Sequence, residues 1–192
     1  MLYPAPIRDT LLRTAAAGLY RPLWTDKILS EVEGVMLRKG YPAANCARLR
    51  SAMNGSFEDA LVTGWEEYLP LATNHPKDRH VVAAAIRSGA DVIVTANLSD
   101  FPAAALKAHD VDVQSPDMFL CYELEHDPPT VIGVLENQAR DTGRHGHQKL
   151  TVNQVLDRLA AAGLTRFPTD ATEWAETLTD APPIPPPPSD QD

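Results

Sequence analysis

The sequence predicts an α/β fold in which helices cover both faces of a parallel sheet. A helical pattern over residues 78–88 ends at Gly89, and the unbroken apolar run Val92–Val94 follows it directly. A run that is apolar on both faces suits a parallel strand buried between helices. Residues 111–113 are a second candidate strand and precede another helix, so strands and helices alternate.

The first part of the chain predicts the same alternation. Gly18 stops the first helix, Thr25 is a good N-cap for the second, and Gly40 with Pro42 ends that helix. The predicted elements before the site are a helix over residues 7–18, a strand over 19–24, a helix from 25 to 40, a helix over 43–53 and a short strand over 60–63.

The sequence predicts three regions, with boundaries after residues 126 and 180. Ser115 and Pro116 are an N-cap and first-turn pair that opens the last helix of an α/β domain over residues 1–126. Residues 127–129 indicate a break and 137–149 a polar segment, within a small helical extension over 127–180. Its last part has a capping-box pattern over residues 151–154. The proline-rich tail, 181–192, is typical of polyproline or disordered chain.

Composition narrows the possible classes of protein. The net charge of −9 argues against binding nucleic acid through a broad basic surface, but leaves a local basic groove open. Cys46 and Cys121 lack the spacing of a zinc site and are expected to be free thiols. No run reaches the roughly 20 apolar residues of a membrane span, and no signal peptide is apparent, so a cytoplasmic protein without membrane contact is expected.

Polar residues gather where the carboxyl edge of the predicted sheet lies. Asn97 and Asp100 follow the strand directly, and open α/β sheets bind ligands beyond the carboxyl ends of their strands. The helix that Asp78 opens runs back against that strand, which brings Asp78 to the same edge. Its neighbours Val81 and Val82 place it toward the packed face, although a first-turn Asp also complements the helix dipole.

Two further residues are candidates with open alternatives. Glu31 lies at the margin of the apolar stripe of its helix, where a solvated position is the plainer interpretation. Thr95 ends the strand and could orient a carboxylate through its hydroxyl, or could simply be a β-branched strand residue. Hard oxygen ligands without Cys or His suit Mg²⁺ or Mn²⁺, and such an ion would assist phosphodiester hydrolysis.

The run over residues 78–102 closely resembles the PIN-domain family, in particular its bacterial VapC-type branch. Further segments that resemble this branch are 2–4, 21–24, 28–32 and 115–117. The resemblance covers roughly residues 2–124. It implies a PIN-like three-layer α/β/α fold and a Mg²⁺- or Mn²⁺-dependent endoribonuclease, commonly a homodimer and often a toxin neutralised by a partner antitoxin.

The resemblance also implies roles for individual residues. Glu31, Asp78, Asn97 and Asp100 match the catalytic acidic and amide positions, and Thr95 matches the hydroxyl of the turn. Asp78, Asp100 and Glu31 would hold the metal. Arg79 could contact a phosphate, but a surface ion pair is the simpler role.

The sequence departs from the family at its start. The family opens with an apolar strand ending in a metal-binding Asp, a few residues before the segment that matches 2–4. We therefore expect that the true start of the protein lies upstream. Met1 would then stand where the family often has Val, because the Val codon GTG can also be read as a start codon. The DNA sequence upstream of Met1 tests this. The alternative is a catalytically impaired PIN-like protein that binds antitoxin or RNA without cleavage.

Overall fold

The computed structural model of the protein describes residues 2–142 and 148–180. The predicted tail, 181–192, and part of the predicted polar segment, 143–147, lie outside the described residues. The helices are α1 (Ala5–Ala16), α2 (Asp26–Arg38), α3 (Ala43–Ser56), α4 (Arg79–Ser88), α5 (Ala103–Leu106), α6 (Pro116–His126), α7 (Pro128–Asp141), α8 (Val152–Ala161) and α9 (Phe167–Asp180). The strands are β1 (Val92–Val94) and β2 (Asp112–Gln114), and short 3₁₀ turns include Glu58–Ala60, Pro76–Asp78 and Leu98–Asp100.

The two strands form a small parallel sheet. Ile93 pairs with Val113 at the centre of the ladder, and the backbone N–H of Thr95 donates to the carbonyl of Gln114 at 2.8 Å just beyond it. Ile93 is buried in a cluster with Val82 of α4. The predicted α/β class, with a parallel sheet and a helical C-terminal extension, is confirmed. The second strand begins at Asp112, one residue later than predicted.

The strands predicted over residues 19–24 and 60–63 are wrong. Each segment contributes one residue to an isolated parallel bridge, Trp24 with Leu61. Pro22 lacks a backbone donor, which limits a ladder in the first segment. In the second segment, the first residue, Ala60, belongs to the 3₁₀ turn Glu58–Ala60.

The predicted helix caps are confirmed. The hydroxyl of Thr25 accepts a hydrogen bond from the backbone N–H of Ile28 at 3.1 Å, which starts α2. Ser115 does the same for α6, with the N–H of Met118 at 3.1 Å. Thr151 and Gln154 form the full capping box at the start of α8, in which the side chain of each accepts from the backbone N–H of the other. These caps stabilise the helix starts because the first backbone N–H groups of a helix have no acceptor inside the helix.

The predicted break after His126 is confirmed, since α6 ends at His126 and a new helix, α7, begins at Pro128. Asp127 caps α7 by accepting from the N–H of Thr130 at 3.1 Å, and prolines are tolerated in the first helical turn because no internal donor is lost there. α7 continues into the segment predicted to be polar loop. Its Gln138 is buried, and the amide oxygen accepts a 2.9 Å hydrogen bond from the hydroxyl of Thr10.

Among the described residues, the largest core joins α1 to the helices that follow residue 115. Its buried residues come from α1, α6, α7, α8 and α9, and the turn before α9; they are Ile7, Leu11, Phe119, Leu120, Cys121, Leu124, Val131, Ile132, Leu135, Ala139, Val155, Leu156, Leu159, Leu164, Phe167 and Ala171. Helices on both sides of residue 126 therefore share one apolar cluster. None of the helices in the described ranges combines the length and apolar character needed to cross a membrane.

Candidate metal centre

A compact turn follows β1 and carries three of the predicted site residues, Thr95, Asn97 and Asp100. The backbone N–H of Asn97 donates to the hydroxyl of Thr95 at 3.1 Å, and the hydroxyl of Ser99 donates to the amide oxygen of Asn97 at 2.9 Å. The side-chain amide of Asn97 donates to a carboxylate oxygen of Asp100. Thr95 thus orders the turn, and Asn97 holds the Asp100 carboxylate.

Asp78 reaches the same place from another element. It closes the 3₁₀ turn Pro76–Asp78 and is the N-cap of α4, but its side chain makes no capping hydrogen bond. The backbone N–H of His75 donates to the carbonyl of Asp100 at 3.3 Å, which joins the two segments. A second bond to that carbonyl comes from the side-chain amide of buried Asn74, also at 3.3 Å.

His75, Asp78 and Asp100 form a three-donor set. One ligand atom from each lies within 4.8 Å of the other two, and Nδ1 of His75 is 3.9 Å from Oδ2 of Asp78. His75 is exposed, while Asp78 and Asp100 are half-buried. The sequence interpretation did not include His75. His75 directly precedes Pro76 and the turn that leads to Asp78. That position indicates a ligand only once the turn is seen to pack against Asp100.

Electrostatics in this set favour a cation. Burial raises the pKa of Asp78 above its ordinary value, and the hydrogen bond with Asp100 and the charge of Asp100 raise it further. The charges of Lys77 and His80 act in the opposite direction. Two acidic groups so close together resist simultaneous ionisation, and a divalent ion between them removes that cost.

Glu31 lies outside this three-donor set. It extends from α2, and its Oε2 atom is 3.3 Å from Nε2 of His80, the second residue of α4. Of the three predicted metal ligands, the structure therefore brings Asp78 and Asp100 together. It places Glu31 against His80, two residues after Asp78.

The donor set fits a divalent metal by its chemistry. Carboxylate oxygens suit Mg²⁺ and Mn²⁺, and an imidazole nitrogen is a better ligand for Mn²⁺ and later transition metals than for Mg²⁺. Exposed Leu98 and Ser99 lie on the turn beside the set, so the centre is open to solvent. An open, acidic centre of this kind can hold an ion against a large substrate.

Comparisons with known proteins relate the chain to VapC-type proteins. Residues 116–171, from α6 into α9, match the family described as the VapC50 C-terminal domain. Over 75 residues the chain is 45% identical to a Mycobacterium tuberculosis protein named "Putative ribonuclease VapC50", an alignment covering 39% of this chain and 44% of that protein. The chain thus spans less than half the length of this relative. No solved structure matches the chain. The predicted VapC-like resemblance is confirmed over the matched part of the chain.

Proposed function

We propose that this VapC-like chain is a metal-dependent endoribonuclease that hydrolyses phosphodiester bonds of RNA. The observation that carries the proposal is the meeting of Asp78 and Asp100 at one centre, from segments on either side of β1. The ribonuclease named among its relatives supports the choice of RNA as substrate.

Mg²⁺ or Mn²⁺ is the proposed cofactor, held by Asp78 and Asp100 with Glu31 and His75 as further donors. When bound, the ion supplies an acidified water and charge compensation for the phosphate. Asn97 keeps the Asp100 carboxylate oriented through its amide hydrogen bond. Thr95 holds the backbone of that turn in place through the N–H of Asn97. Preorganised ligands of this kind lose little entropy when the ion arrives.

The proposed partners follow from the VapC-like relationship. They are an RNA substrate, a cognate antitoxin protein and a second copy of the chain in a homodimer, all in the cytoplasm. Lys77 and Arg79 flank Asp78 in sequence and provide positive charge beside the acidic centre. The side chain of Arg79 is held by a 3.2 Å hydrogen bond from its Nε to the carbonyl of Asn74.

A cleavage assay tests the proposal. Single-stranded RNA is incubated with the protein and Mn²⁺ or Mg²⁺, with and without EDTA, and compared with Asp78→Asn and with the matched control Asp157→Asn on the exposed side of α8. We expect cleavage by the parent and the control, and a loss of at least about 100-fold in Asp78→Asn, because a metal ligand is removed. Cleavage that persists in Asp78→Asn or in EDTA contradicts the proposal.

A non-catalytic binding protein is the second candidate function. It is favoured by one observation, that Glu31 contacts His80 and lies apart from the three-donor set. In that case the parent and Asp78→Asn would bind RNA or antitoxin equally well, and neither would cleave RNA with any divalent ion.

A further inference from the structure

A buried polar residue, Asn74, directly precedes His75 in the chain. It is 3% exposed, and its Nδ2 atom donates to the backbone carbonyl of Asp100 at 3.3 Å. A carbonyl only accepts hydrogen bonds, so this contact assigns the nitrogen of the amide to the side that faces Asp100. The other end of the amide, Oδ1, is buried and has no hydrogen-bond partner among the described residues. The amide therefore uses its donor and leaves its acceptor unpaired.

The unpaired oxygen of Asn74 is unfavourable for the fold. A leucine has nearly the same shape and carries no polar atom that must be paired. The carbonyl of Asp100 would keep a partner in such a change, because the backbone N–H of His75 also donates to it at 3.3 Å. Pairing of the Asp100 carbonyl alone thus does not explain why an amide lies at position 74.

The hydrogen bond from Asn74 joins the two segments that carry the three-donor set. Asp100 ends the turn after β1, whereas Asn74 leads into the turn that Asp78 closes. Within its own turn, the carboxylate of Asp100 is held by the amide of Asn97. That bond fixes the carboxylate relative to its turn, but not relative to Asp78. The bond from Asn74 acts across the two segments.

The main chain of Asn74 is itself held by α4. Its backbone carbonyl accepts a hydrogen bond from Nε of Arg79 at 3.2 Å, and Arg79 is the first residue of that helix. The segment before Asp78, the start of α4 and Asp100 are therefore connected through one buried residue. Ligands that are already in place lose little freedom when an ion binds, so the groups that hold them raise the affinity for the ion.

We propose that Asn74 is a positioning residue that holds Asp100 against the segment of His75 and Asp78, and thereby raises the affinity of the centre for the divalent ion. The inference rests on the proposed function, since it takes His75, Asp78 and Asp100 as the ligands of that ion. The competing explanation is that Asn74 only stabilises the fold.

Asn74→Leu separates the two explanations, because it removes the donor and the unpaired oxygen while keeping the size of the side chain. We expect Mn²⁺ binding, measured by titration calorimetry, to weaken by about 10- to 100-fold. The melting temperature of the metal-free protein should not fall, since a buried unpaired oxygen is lost together with one hydrogen bond. A residue that only stabilises the fold gives the reverse, a lower melting temperature with the Mn²⁺ affinity of the parent. An unchanged Mn²⁺ affinity overturns the proposal.

Asn54→Leu is the matched control. Oδ1 of Asn54 accepts a hydrogen bond from Nε1 of Trp24 at 2.9 Å, and neither residue belongs to the three-donor set. We expect this variant to lose stability and to keep the Mn²⁺ affinity of the parent. An equal loss of affinity in Asn54→Leu and Asn74→Leu overturns the proposal, because general destabilisation then explains both.

Asn74→Ala provides a second variant in case Asn74→Leu does not fold. It removes the same amide without adding methyl groups, and the same loss of Mn²⁺ affinity is expected. If neither variant folds, the amide is needed for the fold itself, and the proposal is overturned.

The same measurements separate this inference from the ribonuclease proposal. Weaker Mn²⁺ binding by Asn74→Leu, without RNA cleavage by the parent, supports positioning by Asn74 and refutes the ribonuclease. RNA cleavage by the parent, with equal Mn²⁺ affinities in the parent and in Asn74→Leu, refutes positioning alone. A parent chain that binds no divalent ion overturns both.

Discussion

Two acidic side chains that share one site lower the stability of the fold that holds them. The pKa of Asp78 is raised by burial and by the hydrogen bond and charge of Asp100. A carboxyl whose pKa is higher in the folded than in the unfolded protein reduces stability once the pH exceeds both values. This cost is therefore present at pH values above the raised pKa of Asp78. It disappears as the pH falls through the acidic range and both states become protonated.

Asp78→Asn is therefore expected to raise the melting temperature of the metal-free protein at pH 7. The gain should shrink as the pH falls through the acidic range. Mn²⁺ should stabilise the parent but not the variant, because binding to the folded state alone shifts the unfolding equilibrium. Thermal melts with and without Mn²⁺ across pH measure both effects, with Asp157→Asn as the control. A lower melting temperature for Asp78→Asn at pH 7 would contradict this account of the pair.

His75 is expected to influence which metal the centre prefers. It offers an imidazole nitrogen to a site whose other two donors are carboxylates. His75→Ala should weaken Mn²⁺ binding by about tenfold and Mg²⁺ binding less, because nitrogen ligands favour transition metals. Calorimetric titration of both ions measures the change, and His109→Ala, in the turn before β2, is the matched control. An equal effect on the two ions removes His75 from the ligand set.

Between helices, the junction of α6 with the start of α9 depends on one carboxylate. Asp117 accepts hydrogen bonds from the backbone N–H groups of Thr165, Arg166 and Phe167 at 2.9 to 3.0 Å. The hydroxyl of Thr165 adds a fourth at 2.8 Å. Burial acts to raise the pKa of Asp117, but the hydrogen bonds from these groups outweigh it, and the pKa lies below its ordinary value. This contact lies within residues 116–171, the segment that matches the family.

Asp117→Ala should destabilise the protein by about 2 kcal/mol at pH 7, since several hydrogen bonds to a charged group are lost. A lowered pKa means that the stability is present above the ordinary Asp range and is lost as the pH falls through it. The difference between parent and variant should therefore narrow below about pH 4. Urea unfolding at several pH values measures it.

Glu125→Gln is the control for Asp117. Glu125 forms a surface ion pair with Arg166 at 2.9 Å, and both side chains are more than half exposed. Exposed ion pairs of this kind contribute little to stability, because water and salt screen the two charges. If Asp117→Ala and Glu125→Gln lose equal stability, the hydrogen bonds of Asp117 contribute no more than an ordinary surface contact.

At the scale of the whole molecule, the predicted boundary after residue 126 divides one apolar cluster. Ile7 and Leu11 of α1 and Leu124 of α6 are buried together with residues of α7, α8 and α9. Arg13 of α1 also donates to Asp141 of α7 at 2.9 Å. The division of the chain at residue 126 remains a proposal, and the shared cluster indicates how to test it.

A chain that ends at residue 126 is expected to lose cooperative unfolding, because it exposes buried leucines of α1 and α6. Circular dichroism melts and size-exclusion chromatography compare it with the full chain. In the full chain, Phe167→Ala should cost about 3 to 5 kcal/mol, since this side chain is fully buried. A shortened chain that melts cooperatively near the temperature of the full one would show that residues 1–126 fold alone.

The parts of the fold that the sequence predicted correctly are those set by interactions between residues close in the sequence. Thr25, Ser115 and Thr151 start helices through hydrogen bonds within four residues, and the apolar run Val92–Val94 forms its strand. The failures involve contacts between distant segments. The strand predicted over 19–24 depends on a partner near Leu61 that pairs at only one point, and Gln138 is helical where a polar loop was expected, with Thr10 satisfying its buried amide.

By itself, the sequence determined the helix starts, the buried parallel strand and the position of Asn97 and Asp100 at its carboxyl end. These depend on periodicity and on backbone donors that neighbouring residues satisfy. Only the tertiary structure decided that His75 joins Asp78 and Asp100, and that Glu31 faces His80. The contact of His75 and Asp78 with Asp100, and that of Glu31 with His80, each join segments that the sequence separates, and their distances depend on how α2, α4 and the turn after β1 pack. The order of helix and strand predicted that Asp78 and Asp100 share one edge, but it does not specify whether the side chains of His75 and Glu31 reach that edge.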